Sequence, residues 1–314
     1  MIRRRDVLAG LLAGSFGAGM PGGSRAMTAE EMAERMRDYQ RKALDKFPLK
    51  LIETTGDKAL AKWQELKAAG QGSPIILAGD ETGALGNMLN PFGPDAPEEP
   101  APVDDILRLA AGIEFPADLV KQRKAESEFF LQQFKKDLAA KPDMSLPRIT
   151  QTDGVTTRTL SREEVLAAME SEPEEPPLGE WPAKPEPSIG LSVARNILTG
   201  VPLPKVYVGI APTGDGTAIP AYLRWGGWNE CPAAEYHVAA MRGWRDRYGA
   251  ELVGMSDDTI NLRVASRPKT REEALALARE HYIYCADVID QGFPSYSALA
   301  AYLMANDWWY FWWD

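Results

Sequence analysis

Apolar residues return every three to four positions in some stretches of the chain and every second position in others. Met32, Met36, Tyr39, Ala43 and Phe47 repeat at helical spacing behind a capping box of Thr28 and Glu31, which predicts a helix over 28–47. A second helix is predicted over 58–69, stopped by Gly70-Gln71-Gly72, and a buried strand over 74–78. Residues 90–102 hold five prolines and read as a loop; 104–111 and 117–140 read as helices. Residues 148–159 alternate around Asp153-Gly154, a hairpin signal, and Ser161 with Glu164 caps one more short helix. Further on, 206–210 and 217–225 read as strands joined by Gly214-Asp215-Gly216. Residues 232–248 read as a helix with Pro232 in its first turn and Gly249 as its stop. A hairpin is predicted from 250–255 and 259–265, and a helix from Thr270 to about Asp290. A further helix over 295–304 and a terminal strand over 308–313 complete the pattern.

Residues 171–188 interrupt this pattern with six prolines and five glutamates. Such a segment has too little apolar surface to fold alone and tends to be extended, so it is read as a linker. The expected fold class is α+β. A C-terminal domain (189–314) forms a mostly antiparallel sheet packed with helices and ends in an aromatic strand. It follows a mainly helical N-terminal region (27–170) with a few strands.

The first 26 residues stand apart. Arg3-Arg4-Arg5, then an apolar stretch over 7–19, then Ser24-Arg25-Ala26, follow the order of a signal peptide, with Met27 starting the mature chain. Arg4-Arg5-x-Val7-Leu8 resembles a twin-arginine signal, which exports folded proteins. The stretch is too short for a bilayer of about 30 Å, so no stable membrane insertion is expected after cleavage. The expected location is periplasmic or secreted.

Composition then narrows the chemistry. The formal charge of -10 falls to -13 without the segment's four arginines and one aspartate. That excess of acid argues against nucleic acid as a partner. Only 2 His and 2 Cys occur among 314 residues, and all four lie between 231 and 285. On the predicted helices His281 and Cys285 are four apart on one face, and His237 shares a stripe with Met241, Trp244 and Tyr248. Cys231, His237, His281 and Cys285 could form a zinc set by ligand type, although their spacing is not diagnostic. A Cys231–Cys285 disulfide suits an exported protein. A nucleophilic thiol with a histidine and Asp287 is a third reading, and ordinary core packing a fourth. No cofactor is expected.

Seven of the 9 tryptophans lie at 225 or later, and four fall between 308 and 313. Both faces of the terminal strand are then aromatic. Either the strand is central and covered on both sides, or one face lines a binding surface. Burial is favoured, because large aromatics dominate core energetics.

Five stretches of the C-terminal third fit one pattern: Gly226-Gly227-Trp228-Asn229-x-Cys231-Pro232; Trp244-x-x-Arg247-Tyr248-Gly249-Ala250-Glu251; Glu273-x-x-x-Leu277-Ala278-x-Glu280; Tyr284-Cys285-x-Asp287 with Gln291-Gly292; and Trp308-x-Tyr310-Phe311-Trp312-Trp313-Asp314. From about 205 to 314 the chain resembles the bacterial family called domain of unknown function 4253. The resemblance implies no activity. The family pattern carries Gln where His281 stands, which weakens the zinc reading. The expected function is an extracytoplasmic binding or interaction module for a protein, peptide or glycan, with a surface of Trp225, Trp228, Asn229, Glu230, Tyr282 and Asp287. The alternative is a hydrolase or thiol-dependent enzyme centred on Cys231 or Cys285.

Overall fold

The computed structural model describes residues 28–78, 88, 101–140, 146, 148–150, 157–171 and 175–313. The predicted export signal lies outside them, as do the turn of the 148–159 hairpin and most of the proline-rich loop at 90–102. The elements run α1 (Ala29–Asp45), β1 (Lys50–Thr54), α2 (Ala59–Ala69), β2 (Ser73–Leu77), α3 (Val103–Ala111), α4 (Ala117–Ala140), β3 (Arg148–Thr150), β4 (Thr157–Thr159) and α5 (Arg162–Glu170). There follow β5 (Val206–Ala211), α6 (Ile219–Leu223), α7 (Ala234–Tyr248), β6 (Glu251–Met255), β7 (Thr259–Arg263), α8 (Arg271–Tyr284), α9 (Tyr296–Ala305) and β8 (Trp308–Trp312). Among the described residues no helix is long and apolar enough to cross a membrane.

Two compact units result, and one border between them, Glu175/Pro176, falls within the Pro/Glu-rich segment. One contains Val120–Glu175; the other joins Met27–Leu119 to Pro176–Asp314. In the smaller unit β3 and β4 pair antiparallel, and the capping box forms as its sequence predicts. Phe134, Leu138, Leu160, Val165, Ala168 and Met169 make its core.

The larger unit is built on a six-stranded sheet in the order β1-β5-β2-β6-β7-β8, antiparallel except for the β2–β6 pair. Residues 189–314 therefore do not make this sheet alone, since β1 and β2 come from before the Pro/Glu-rich segment. Every residue of β2 is buried, which is why Ser-Pro-Ile-Ile-Leu lacks polar alternation. The sheet is covered on both faces. Ile75, Leu77, Leu252, Ile260, Leu262, Trp309 and Phe311 join the large core under α7, α8 and α9. Ile76, Val206, Val208 and Val253 face the other way, against Trp63 of α2 and Leu191, Val193 and Ala194. Asn261, fully buried on this second face, pins that last segment: its Oδ1 accepts from the Val193 N–H (3.1 Å) and the Ser192 hydroxyl (3.0 Å).

Several expectations are corrected. Residues 217–225 form no strand. The Asp215 carboxylate accepts from the Thr217 N–H (3.1 Å) and hydroxyl (2.6 Å), closing a 3-10 turn that leads into α6. Pro220 in its first turn has φ preset for helix and no N–H to give a ladder. Beside β5 both ladder positions are taken by β1 and β2. The helix from Thr270 ends at Tyr284 rather than near Asp290: Cys285 is extended, and Val288–Gly292 forms a separate π turn. The helix before Gly249 begins at Ala234, two residues past Pro232.

The aromatic strand β8 is not central; it is an edge strand. Its alternation explains how that is tolerated. Trp313 donates its N–H to Asp258 and Asp307 accepts from Val264, so residues 307, 309, 311 and 313 turn their amides to β7. Those of Trp308, Tyr310 and Trp312 point outward. Side chains cover two of these carbonyls: the Tyr302 hydroxyl donates to Trp308 (2.8 Å) and the Cys285 thiol to Trp312 (3.0 Å). The edge is thereby blunted against pairing with another chain.

The Pro/Glu-rich segment is not a free tether over its described part. The carbonyls of Pro177 and Leu178 accept from the N–H groups of Tyr296 (3.1 Å) and Ser297 (2.8 Å), two first-turn donors of α9 that its own ladder leaves orphaned. The Trp181 ring lies 4.5 Å from the Arg271 guanidinium. Prolines removed competing N–H groups, and the exposed carbonyls found partners in the helix start.

Candidate functional site

The chemistry-bearing residues gather where the chain turns between α6 and α7. Arg224, Gly226, Gly227 and Asn229 all have positive φ (48°, 103°, 81° and 47°), so the chain reverses sharply. The Gly227 N–H points at the carbonyls of Cys231 (3.1 Å) and Pro232 (3.0 Å), and Cys231 donates its N–H to Trp228 (2.9 Å). This closed loop sets the Cys231 thiol 3.5 Å from Nε2 of His237, on the buried stripe of α7 with Met241, Trp244 and Tyr248. The other ring nitrogen, Nδ1, lies 2.5 Å from the Tyr284 hydroxyl, at the end of α8. Burial, and then the nearby Cys231 and Cys285 thiols, push the Tyr284 phenol well above its usual pKa of 10, so it stays protonated.

A thiol, an imidazole and a phenol thus form one chain. Its direction decides what it can do. If the phenol donates to Nδ1, then Nε2 carries the ring proton and faces the sulfur as a donor. Only the reverse tautomer leaves Nε2 able to take the thiol proton. Access is the stronger restriction. His237 is fully buried and Cys231 is 4% exposed. Trp225 and Trp313 pack on the imidazole at centroid distances of 4.8 and 5.6 Å, with Tyr284 at 5.3 Å. The thiol and the imidazole are therefore both closed to a substrate in this structure.

The other sequence-level pairings do not form. Cys231 and Cys285 are both buried free thiols, so there is no disulfide. Cys285 leaves the helix one residue past its end and spends its S–H on the sheet edge, so it does not share a helical face with His281. Among the described residues no three His, Cys, Asp or Glu side chains gather to hold a metal ion, and the four-residue zinc set is not assembled.

Residues 207–314 match the family model described as domain of unknown function DUF4253. No curated protein and no solved structure matches the chain. The DUF4253 segment carries the Cys231–His237–Tyr284 chain, α7 to α9 and strands β6 to β8. It begins one residue inside β5 and leaves β1 and β2 out, so its sheet is completed by strands from outside the match.

His281 has a separate environment in the DUF4253 segment. It packs against Trp244 (5.1 Å), Trp309 (4.7 Å) and Phe311 (4.8 Å), and its Nε2 has no hydrogen-bond partner. Burial, and then the Arg247 guanidinium, lower its pKa from 6.5 to about 3. The folded-state value is depressed for a base. Below pH 6.5 the unfolded chain therefore takes up a proton that the folded chain refuses. Stability is full above 6.5 and falls as pH drops towards 3, by up to about 1.4 kcal/mol per pH unit. Replacing His281→Gln should flatten the dependence of Tm on pH between 6.5 and 5, above the range of ordinary carboxylates. Equal slopes in the two proteins would remove this account.

The six-residue surface read from sequence is dispersed. Trp225 is core: it is 4% exposed, donates Nε1–H to the Ser256 carbonyl (2.8 Å) and meets Trp313 edge-on. Trp228 is half-buried against Trp225 at 6.1 Å. Asn229 and Glu230 are exposed at the loop tip, where Asn229 adopts a left-handed conformation and caps no helix. Tyr282 is half-buried against Tyr296, and Asp287 accepts from Gln291 (2.9 Å).

A different surface has the features of a recognition site, and the sequence reading passed over it. A groove of about 470 Å³ lies between the start of α2 and the segment around 189–200, with Leu60, Ile189, Leu191 and Trp308 in its walls. One bank is a hairpin closed by an Arg195–Pro202 bridge. Asn196 holds its tip: the side-chain oxygen accepts from the N–H groups of Leu198 and Thr199 (both 3.0 Å), and the carbonyl accepts from Gly200 (2.8 Å). At the base Gly56 donates its N–H to Leu203 (2.8 Å), and a Cβ there would stand 2.1 Å from the Ala194 carbonyl. The tip is thus ordered, yet its apolar side chains face solvent: Leu198 is 92% exposed, Ile197 63%, Val201 59%, and Ile189 beside them 51%. Its one sequence signal was large aliphatics set among turn formers.

Proposed function

We propose that this protein is an exported interaction module that recognises a protein partner through the hairpin at 195–203 and the adjoining groove. One observation carries the reading: a turn braced by its own hydrogen bonds holds Ile197 and Leu198 out into water. Exposed clusters of large aliphatic side chains are unfavourable unless something covers them. A pre-braced loop also loses little entropy on docking. The aliphatic character suits a protein surface better than a glycan, which needs polar groups converging beside an aromatic face. Export is supported by the order of basic, apolar and small residues over 1–26.

The test uses the full chain with its presequence, expressed in a bacterium with twin-arginine export. The mature protein is expected outside the cytoplasm with Met27 first, and Arg4→Lys with Arg5→Lys should hold it inside. Captured from the envelope fraction, the wild type should retain a partner that the Ile197→Asp, Leu198→Asp variant loses while its melting curve stays unchanged. Equal recovery by both proteins would sink the proposal. The thiol-enzyme reading has one contact in its favour, Cys231 to His237, and is set second because both thiols are buried.

A further inference from the structure

The face that carries the hairpin presents a knob and a hole side by side. Leu198 and Ile197 protrude, and immediately next to them lies the groove walled by Leu60, Ile189 and Trp308. A surface holding both shapes can complement a second copy of itself across a two-fold axis, each tip entering the other's groove. The charges have the same property. Of the groove-lining residues, Asp57 and Arg195 alone are charged, and they have opposite signs. A two-fold pairing that sets Asp57 of one copy against the partner's Arg195 joins opposite charges twice.

Resting on the reading above that this face is a recognition surface, we infer that the partner is a second copy of this chain, docked face to face as a symmetric dimer. Of the 22 residues at 56–60 and 188–203 with Trp308, Ala59 and the four at 191–194 are buried, and the 17 left accessible fall short of the roughly 20–30 residues a side of a standard interface. The dimer is therefore weak and concentration-dependent. Closure is favoured over an open filament because knob and hole lie on one face rather than on opposite ones.

Sedimentation of the mature full-length chain from about 1 µM to about 1 mM tests this. The average mass of the wild type should rise towards twice that of the monomer. Leu198→Asp should stay monomeric throughout, with an unchanged circular dichroism spectrum, since that side chain is 92% exposed and contributes nothing to the core. Asp57→Lys, which sets a lysine against the partner's Arg195, should raise the dissociation constant several-fold. Leu109→Asp, on α3 and also exposed, should leave the dimer intact. A wild type that remains monomeric at the highest concentration overturns the inference. So does a dimer that survives Leu198→Asp or is lost with Leu109→Asp. If the wild type is monomeric while envelope capture still depends on Ile197 and Leu198, the second copy is excluded and the interaction module stands.

Discussion

Removal of residues 308–314 is expected to leave no folded protein. Trp309, Phe311 and Trp313 are 1%, 0% and 2% exposed, and all three face the large core. Burying each contributes about 4–5 kcal/mol at 25 cal/mol per Å² and about 150–200 Å² of apolar surface. Even discounted for a compact unfolded state, the sum rivals the about 5–15 kcal/mol by which a typical domain is stable. The deletion also strips β7 of its partner and bares Trp244, which stacks on Phe311 at 5.4 Å with an interplanar angle of 3°. The truncated protein should be insoluble, or soluble without a cooperative thermal transition. A transition at the wild-type temperature would refute the assignment of these side chains to the core.

Gly226→Ala is expected to be the most damaging single-methyl change in the loop before α7. The residue sits at φ +103°, which L side chains rarely adopt, and a Cβ would lie 2.0 Å from the Pro232 carbonyl and 2.7 Å from Nε2 of His237. Backbone strain of about 1–3 kcal/mol and an overpacking penalty of similar size should combine to about 3–5 kcal/mol in a urea melt. Gly227→Ala is the control. Its φ is also positive, at +81°, but nothing lies within 4 Å of the added carbon, so it bears the strain without the collision. Equal losses for the two variants would mean that the loop relaxes away from His237, and that the Cys231–His237 contact is not rigidly held.

Many local elements could be read from neighbouring residues. The capping boxes of Thr28 with Glu31 and of Ser161 with Glu164 form as read, because both partners lie within one turn. Gly70 and Gly249 end their helices in the left-handed conformation that glycine adopts at no steric cost. The stripe of His237, Met241, Trp244 and Tyr248 is buried as its spacing requires. The candidate site was legible only in its ingredients. Cys231 and His237 are six residues apart and could be paired on paper; Tyr284, the third member of the chain, gave no local sign of joining them.

Neighbouring side chains alone set the inventory and the local grammar. Helix starts and stops, the buried run of β2, the aromatic terminus and the concentration of histidine, cysteine and tryptophan after 225 all depend on side chains close in sequence. The tertiary structure decided which strands share a sheet, where the terminus lies in it, and what the cysteines do. Strand pairing is a long-range match between surfaces, so β5 pairs with β1 and β2, more than a hundred residues away, in place of the chain just after it. That choice left 217–225 free to coil into α6. Placing β8 at the sheet edge turned its carbonyls outward, and a buried carbonyl needs a donor. The Cys285 thiol supplies one, so the residue read as a possible ligand or nucleophile caps a strand.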